Sequence, residues 1–199
     1  SMSVPTVLVS SYSQKFQLPY VRVDDKHAAY KGTEYLISKG HSRIGMVSGP
    51  PEDPIAGRER IMGYQEALEA HGIKVEPGWL VSADSFGHIS GIYAIEKLIK
   101  KAPEITAVFA ASDELAVGIL LWAYRHGVKV PEELSVIGYD NLKIAEMVTP
   151  PLTTISQPLY EMGRTASKIL FDLVEGIPVE SRIMPFSIIE RDTVKSLGR

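Results

Sequence analysis

The sequence predicts an α/β protein of two lobes, in which parallel sheets are flanked by helices. Short runs rich in β-branched residues alternate with segments whose apolar residues recur at helical spacing. The runs are apolar on both faces, as strands are in a parallel sheet that helices cover on both sides. Glycines follow two of the helical segments where a helix should end, at Gly72 and Gly127.

Composition narrows the class of protein. The chain has 199 residues, of which 45% are hydrophobic and 23% are charged, as in an ordinary globular protein. The formal net charge of -3 shows no footprint of nucleic-acid or membrane binding. The absence of cysteine excludes a disulfide framework, a thiolate nucleophile and a cysteine-based zinc site. Because neither a signal peptide nor a membrane-spanning run is evident, we expect a cytoplasmic protein.

The central block, residues 41–152, is expected to form the C-terminal lobe. Its β-branched runs and its helical segments alternate, which is typical of a parallel sheet covered on both sides. The expected strands are 44–49, 79–84, 107–112 and 135–140, and the expected helices are 57–71, 89–100 and 113–126.

The flanks, residues 3–40 and 153–192, are expected to pack together as a partial N-terminal lobe. Their expected strands are 5–10, 20–25, 153–158 and one within 182–191, and their expected helices are 27–39 and 159–175. The chain should then cross between lobes near 39–43 and near 149–154. The Pro150-Pro151 pair suits the second crossing because proline stiffens a short connector.

Polar residues follow the expected strands at their carboxyl ends, where parallel α/β sheets bind ligands. A carboxylate there is useful because ligand hydroxyls can hydrogen-bond to it. In the central block these ends are Ser48-Gly49, Asp84-Ser85-Phe86, Ser112-Asp113 and Asp140-Asn141, and in the flanks they are Ser10 and Asp24-Asp25.

Each of these residues also has a purely structural interpretation. Ser112 and Asp113 precede a helix, where N-capping is a common role. Asp140 could cap the turn after its strand, and Phe86 could simply pack. Arg60 lies in the first turns of a helix, where a side chain commonly points into solvent. A positive charge there interacts slightly unfavourably with the helix dipole, and this misfit favours a second interpretation, in which the side chain contacts a ligand.

No pattern of catalytic or metal-binding residues stands out. The five histidines are scattered, and no HExxH pair, GxSxG elbow, phosphate loop or GxGxxG fingerprint is present. The sequence therefore favours binding over catalysis, without a cofactor or a metal. An enzyme that uses the same cleft remains a weaker alternative.

Several segments resemble one family, in the family's order and spacing. They are "GHSRIGMVSGP", "GRERIMGYQEALEAHGI", "AVFAASDELAVGIL", "GVKVPEELSVIGYDN" and "PPLTTISQPLYEMGRTA". Together they resemble the effector-binding region of LacI/GalR transcriptional regulators, over about residues 5–191. The resemblance implies a periplasmic-binding-protein type I-like fold: two lobes joined by three crossovers, with an effector in the cleft.

The resemblance also implies roles for particular residues. Arg60 is similar to the arginine that reaches the effector, Phe86 to the aromatic that stacks on it, and Asp140 to the acid that takes its hydroxyls. Ser112 stands where the family often has asparagine and Ser10 where it often has aspartate, which puts the usual sugar contacts in doubt. Asp24 is a further candidate contact.

Partners are likewise implied by the resemblance. The effector would be a sugar, a sugar phosphate or a purine-like molecule. A homodimer would involve Val117, Ile144 and Val148. Operator DNA would be bound by a helix-turn-helix domain, and both this domain and the rest of the N-terminal lobe would precede Pro5. A protein co-regulator is a further candidate partner. The alternative is an exported sugar-binding receptor of a transporter or chemoreceptor.

Overall fold

A computed structural model describes residues 4–198, which form two compact units. The strands are β1 Leu8–Val9, β2 Tyr20–Val23, β3 Ile44–Ser48, β4 Leu80–Ser82, β5 Ala107–Ala110, β6 Ser135–Asp140, β7 Thr153–Ser156, β8 Arg182–Met184 and β9 Ser187–Ile189. The helices are α1 Asp25–Ser38, α2 Arg58–Ala70, α3 His88–Lys101, α4 Asp113–His126, α5 Ile144–Met147 and α6 Leu159–Val174, with one 3-10 turn at Pro77–Trp79.

The first unit comprises residues 4–24 and 157–186. Its three strands are parallel, in the order β1-β2-β8, and α6 packs on β1 and β2. Met162, Ala166 and Ile169 line the buried face of α6, with the spacing of three to four residues that the sequence predicts.

The second unit comprises residues 25–156 and 187–198. Its six strands run in the order β4-β3-β5-β6-β7-β9, and β9 alone is antiparallel to its neighbour. Every residue of β3 and β5 is buried, as expected for a parallel sheet with helices on both faces. The predicted α/β architecture is confirmed in both units.

The boundaries of the units differ from the expected ones. Helix α1 and strand β7, expected in the N-terminal lobe, belong to the second unit, and Ser3 of the expected range lies outside the described residues. Helix α1 packs tightly on α2: a Cβ at Gly63 would lie 2.1 Å from the carbonyl oxygen of Lys26. It is also close to the sheet, since a Cβ at Gly32 would lie 2.6 Å from Ile155.

The crossings between the units also lie elsewhere than predicted. The chain passes from one unit to the other after Asp24, after Ser156 and after Phe186. The single strand expected within 182–191 is two strands: β8 completes the small sheet, and β9 joins the large one beside β7. Hydrophobic pattern could not reveal this change, because both pieces are short and β-branched. Pro150-Pro151 precedes β7 inside the second unit and is not a crossing.

The C-terminal segment is fixed to the second unit around a buried histidine. His41 is 1% exposed, and its Nδ1 and Nε2 lie 2.9 Å from the Thr106 hydroxyl and 3.2 Å from the Lys195 carbonyl. Nε2–H can donate to the carbonyl while Nδ1 accepts from the hydroxyl, which suits a neutral ring. Burial lowers the pKa of His41 below its ordinary value.

This lowered pKa predicts a loss of stability in acid. An unfolded histidine gains its proton at about pH 6.5, before the folded one does, so stability falls as the pH drops through and below that value. We expect urea unfolding to show a larger loss between about pH 7.5 and 5.5 for the natural chain than for His41→Gln. His88→Gln, at an exposed position, is the control; equal losses in all three proteins would contradict the prediction.

Candidate ligand-binding site

Polar and aromatic side chains gather along the carboxyl edge of the large sheet. The strand order β4-β3-β5-β6 places Phe86, Gly49, Ser112 and Asp140 at or within four residues of the carboxyl ends of adjacent strands. This is the edge at which parallel α/β sheets bind ligands. The structure thus brings together, within the second unit, three of the predicted site residues, and α2 adds Arg60.

Arg60 is buried, with a side chain only 7% exposed, and it contacts several residues of this edge. Its Nε and Nη2 lie 2.9 and 2.8 Å from Oδ1 of Asp25, and its Nη1 donates to the Ala111 carbonyl at 2.5 Å. The guanidinium also lies over the Tyr139 ring, 3.5 Å from its centre. Burial opposes the charged form, but Tyr139, Asp25 and Asp140 hold the pKa of Arg60 above its ordinary value.

Asp25 is the first residue of α1 and is 3% exposed. Its Oδ1 accepts from Nε and Nη2 of Arg60, and it also accepts from the Tyr139 hydroxyl at 3.0 Å. A buried carboxylate needs such donors, because its desolvation is costly. Burial raises the pKa of Tyr139 well above its usual value, so the hydroxyl remains a donor.

Asp140 ends β6 in a conformation that is rare for a residue with a side chain. Its φ is 111° and that of Asn141 is 56°. Its side chain is 20% exposed and lies 3.9 Å from Nη2 of Arg60. Such backbone conformations cost on the order of 1–3 kcal/mol, and they persist where surrounding contacts enforce them, often at ligand sites.

Asp113 is one source of those contacts. It is fully buried, and its two oxygens accept from the Leu142 amide at 2.6 Å and from the Thr154 hydroxyl at 2.5 Å. The sheet comes very close here, since a Cβ at Gly138 would lie 2.4 Å from the carboxylate. Burial raises the pKa of Asp113 to about 7, although both hydrogen bonds act in the opposite direction.

A second set of contacts holds Asn141. Its Nδ2 donates to Ser156 at 3.2 Å, and its Oδ1 accepts from Arg191 at 2.9 Å. Arg191 also donates to the Leu152 carbonyl at 2.8 Å and pairs with Glu146 at 3.1 Å. The turn after β6 is therefore fixed from three elements, which explains how it retains two strained residues.

Ser112 caps α4, one of the two roles that the sequence left open, and it also contacts Phe86. Its hydroxyl oxygen caps α4 by accepting from the Leu115 amide at 3.1 Å, and the hydroxyl donates to the Phe86 carbonyl at 3.1 Å. The Phe86 ring is half-buried and lies on Gly49, where a Cβ would be 2.1 Å from the ring. Ser112 therefore positions Phe86, and its hydroxyl is already used.

Ser10 and Asp24 lie in the first unit, where both are exposed. Their part in a ligand site remains a prediction. Val117, Ile144 and Val148, expected at a dimer interface, are half-buried in the second unit, and that role also remains a prediction.

Sequence reasoning missed the partners of Arg60 and Asp140. In the sequence, Asp25 follows an expected strand and Tyr139 lies within an expected buried strand, so neither position indicates a contact with Arg60. The best signal in the sequence is the pair of adjacent acids, Asp24-Asp25, at the start of a helix. One acid is ordinary at a helix N-terminus, so the second acid indicates a further role. Arg191 gave no local signal, because its partners are distant in sequence.

Within residues 4–198, no group of three metal-ligating side chains could hold a metal ion. In the same stretch, no helix has the length and apolar character needed to cross a bilayer. The edge offers a partly exposed carboxylate, a guanidinium and an aromatic ring, a combination that can bind a small polar molecule.

The fold and this edge define a ligand-binding domain of the periplasmic-binding-protein class. The family model for a periplasmic binding protein-like domain matches residues 33–194. The CytR repressor of Escherichia coli K12 is 40% identical over 195 residues, which are 97% of this chain and 57% of that protein. The chain thus spans little more than half the length of this curated relative.

Two solved structures are similar over most of their length. A LacI family regulator from Enterococcus faecium with bound ribose is 32% identical, with a TM-score of 0.87, covering 98% of this chain and 72% of that one. A sugar-binding LacI family regulator from Escherichia coli, complexed with phosphate, is 27% identical, with a TM-score of 0.88, covering 97% and 69%. The chain belongs to the LacI/GalR family.

Proposed function

We propose that this chain is the effector-sensing domain of a transcriptional regulator. It binds a small polar ligand, a sugar, sugar phosphate or purine-like molecule, at the carboxyl edge of the second unit. The observation that carries the proposal is a set of linked contacts: Ser112 donates to the Phe86 carbonyl, Arg60 donates to the carbonyl of the preceding residue, Ala111, and Arg60 lies 3.9 Å from Asp140. The bound ribose in one relative supports a ligand of this kind.

Each side chain has a distinct part in binding. Asp140 accepts hydrogen bonds from ligand hydroxyls, and these are charge-assisted and therefore strong. Arg60 uses three of its five N–H groups within the protein, which leaves donors for a ligand oxygen. Phe86 offers a flat apolar face to a sugar or a base.

The effector acts by shifting a conformational equilibrium of the whole regulator. A ligand that binds one conformation of the regulator more tightly raises the population of that conformation, by an amount set by the difference between its affinities for the two conformations. Operator DNA is bound by a helix-turn-helix domain outside these 199 residues. We place the regulator in the cytoplasm, as a homodimer through Val117, Ile144 and Val148, with a protein co-regulator as a further candidate partner.

The competing functions are less well supported. An exported sugar-binding receptor would share the fold, but the similar proteins named here are transcriptional regulators. An enzyme would need a nucleophile or a metal at the edge, and the same relatives are not enzymes by name. We therefore propose a domain that binds without turnover.

The direct test is ligand binding by an Asp140→Asn variant. Thermal shift with ribose, other neutral sugars, sugar phosphates and purines first finds a ligand, and calorimetry then measures its affinity. We expect the variant to bind at least about ten-fold more weakly, because a charge-assisted hydrogen bond is lost. Asparagine tolerates positive φ, so the turn should survive.

The control is Asp192→Asn, which removes an exposed carboxylate elsewhere in the second unit. It should bind the same ligand with unchanged affinity. Full affinity in Asp140→Asn would move the site away from this edge.

A further inference from the structure

We propose that this site selects uncharged, hydroxyl-bearing ligands and discriminates against their phosphate esters. The inference rests on the proposed function and narrows it to one chemical class. It follows from the pairing of the buried cation with carboxylates and from the net negative charge of that cluster.

Arg60 is the one lysine or arginine that is buried among residues 4–198. A phosphate ester would need this guanidinium in bidentate form, which is the usual geometry of arginine–phosphate pairs. Two of its nitrogens, however, are held by Asp25 at 2.9 and 2.8 Å, and the third by the Ala111 carbonyl at 2.5 Å. One N–H of Nη1 and one of Nη2 remain for a ligand, but the charge of Arg60 is already paired with the buried Asp25 carboxylate, so a phosphate gains less from it than from an unpaired arginine.

The charge of the cluster also disfavours an anion. Arg60 contributes one positive charge, while Asp25 and Asp140 contribute two negative ones, so the sum of +1 and −2 is −1. At the neighbouring turn, Arg191 is paired with Glu146, and this pair adds no net charge. Asp140 is the less buried of the two acids, with a side chain 20% exposed against 4% for Asp25, and it is the one proposed to meet a ligand. Arg58 and Lys143 are close in sequence but exposed, and hydrated surface cations attract an anion only weakly.

Helix N-termini could bind a phosphate instead, yet two of them here are occupied. At α2, which has no side-chain cap, the first two amides, of Arg58 and Glu59, donate to the carbonyls of Asp53 and Ile55 at 2.9 and 3.1 Å. At α4, Ser112 accepts from the Leu115 amide. Helix α3 has no such side-chain cap, so phosphate binding there is the result that would count against the proposal.

The experiment compares matched pairs of ligands on the natural chain by calorimetry. The pairs are ribose with ribose 5-phosphate, glucose with glucose 6-phosphate, and adenosine with adenosine 5′-monophosphate. We expect the neutral member of any pair that binds to be at least about ten-fold tighter, because like charges oppose the ester. An ester that binds as tightly as its neutral partner would overturn the proposal and leave the proposed function intact.

If no member of any pair binds, the proposed function fails for these classes and the inference fails with it. Two further measurements separate charge from shape. In Asp140→Asn, the neutral-to-ester ratio should fall by several-fold, because one negative charge is removed, and in Asp192→Asn it should not change. Raising the salt from about 0.05 to 0.5 M should narrow the ratio in the natural chain. A ratio that neither change moves would show a steric origin and refute the electrostatic account.

Discussion

Replacing Arg60 by methionine is expected to lower the free energy of unfolding by about 3–5 kcal/mol, the usual cost of breaking a buried pair from one side. Methionine has a similar length but no charge, so Asp25 would lose two of its three donors while remaining 3% exposed. Urea unfolding at neutral pH, followed by tryptophan fluorescence, measures the change.

A matched control lies two residues earlier. Arg58 is exposed on the same helix, so Arg58→Met should change stability by no more than about 0.5 kcal/mol. A second variant tests the mechanism: Arg60→Met combined with Asp25→Leu should recover much of the loss, because neither charge is then buried alone. If Arg60→Met costs less than about 1 kcal/mol, the ion pair does not hold this edge together.

Asp113→Ala is expected to have the next largest effect, a loss of about 2–4 kcal/mol. The change leaves the Leu142 amide and the Thr154 hydroxyl without their acceptor in a buried place, and each such loss costs about 1–3 kcal/mol. The turn that carries Asp140 should also loosen. We expect faster amide exchange at Leu142 and weaker binding of whichever sugar the natural chain binds.

Asp113→Asn separates shape from charge. Its amide oxygen can still accept from Leu142, and its NH₂ can donate to the Thr154 oxygen, so the loss should be smaller than for alanine. Asp192→Ala, at an exposed position, should have no effect on stability or on exchange at Leu142. Unchanged exchange in Asp113→Ala would show that the turn is held without this carboxylate.

The pH dependence of Asp113 has a definite sign. Its pKa is raised to about 7 in the folded chain, whereas an unfolded aspartate titrates near about 3.9. Between these values the folded chain binds more protons, so the contribution of Asp113 to stability falls as the pH rises and is constant above 7. The stability of the natural chain relative to Asp113→Asn should therefore decrease from about pH 4.5 to 7.

Sequence pattern predicts the secondary structure of this chain well. Periodicity places α4 at residues 113–126, as the structure has it, because this helix repeats the pattern over several turns. It fails at α5, four residues long, and at the division of 182–191 into β8 and β9. Segments of three or four residues contain too few positions for a period to appear.

The assignment of elements to units could not be predicted as well. A single residue, Asp24, lies between β2 and helix α1, and the sequence of the helix does not indicate which sheet it packs on. The deciding facts are close approaches at Gly32 and Gly63 to distant parts of the chain. At the edge, residue type and strand-end position suggested Arg60, Phe86 and Asp140. Their partners depend on tertiary packing.

Gly63 links the packing of two helices to the charge balance of the ligand edge. It lies one helical turn beyond Arg60, and the atom closest to it belongs to Lys26, the neighbour of Asp25. Any larger side chain there would act as a wedge between the members of the ion pair. The close approach of the two helices at Gly63 is therefore a condition for the Arg60–Asp25 contact, and a larger residue at this position is expected to weaken that ion pair.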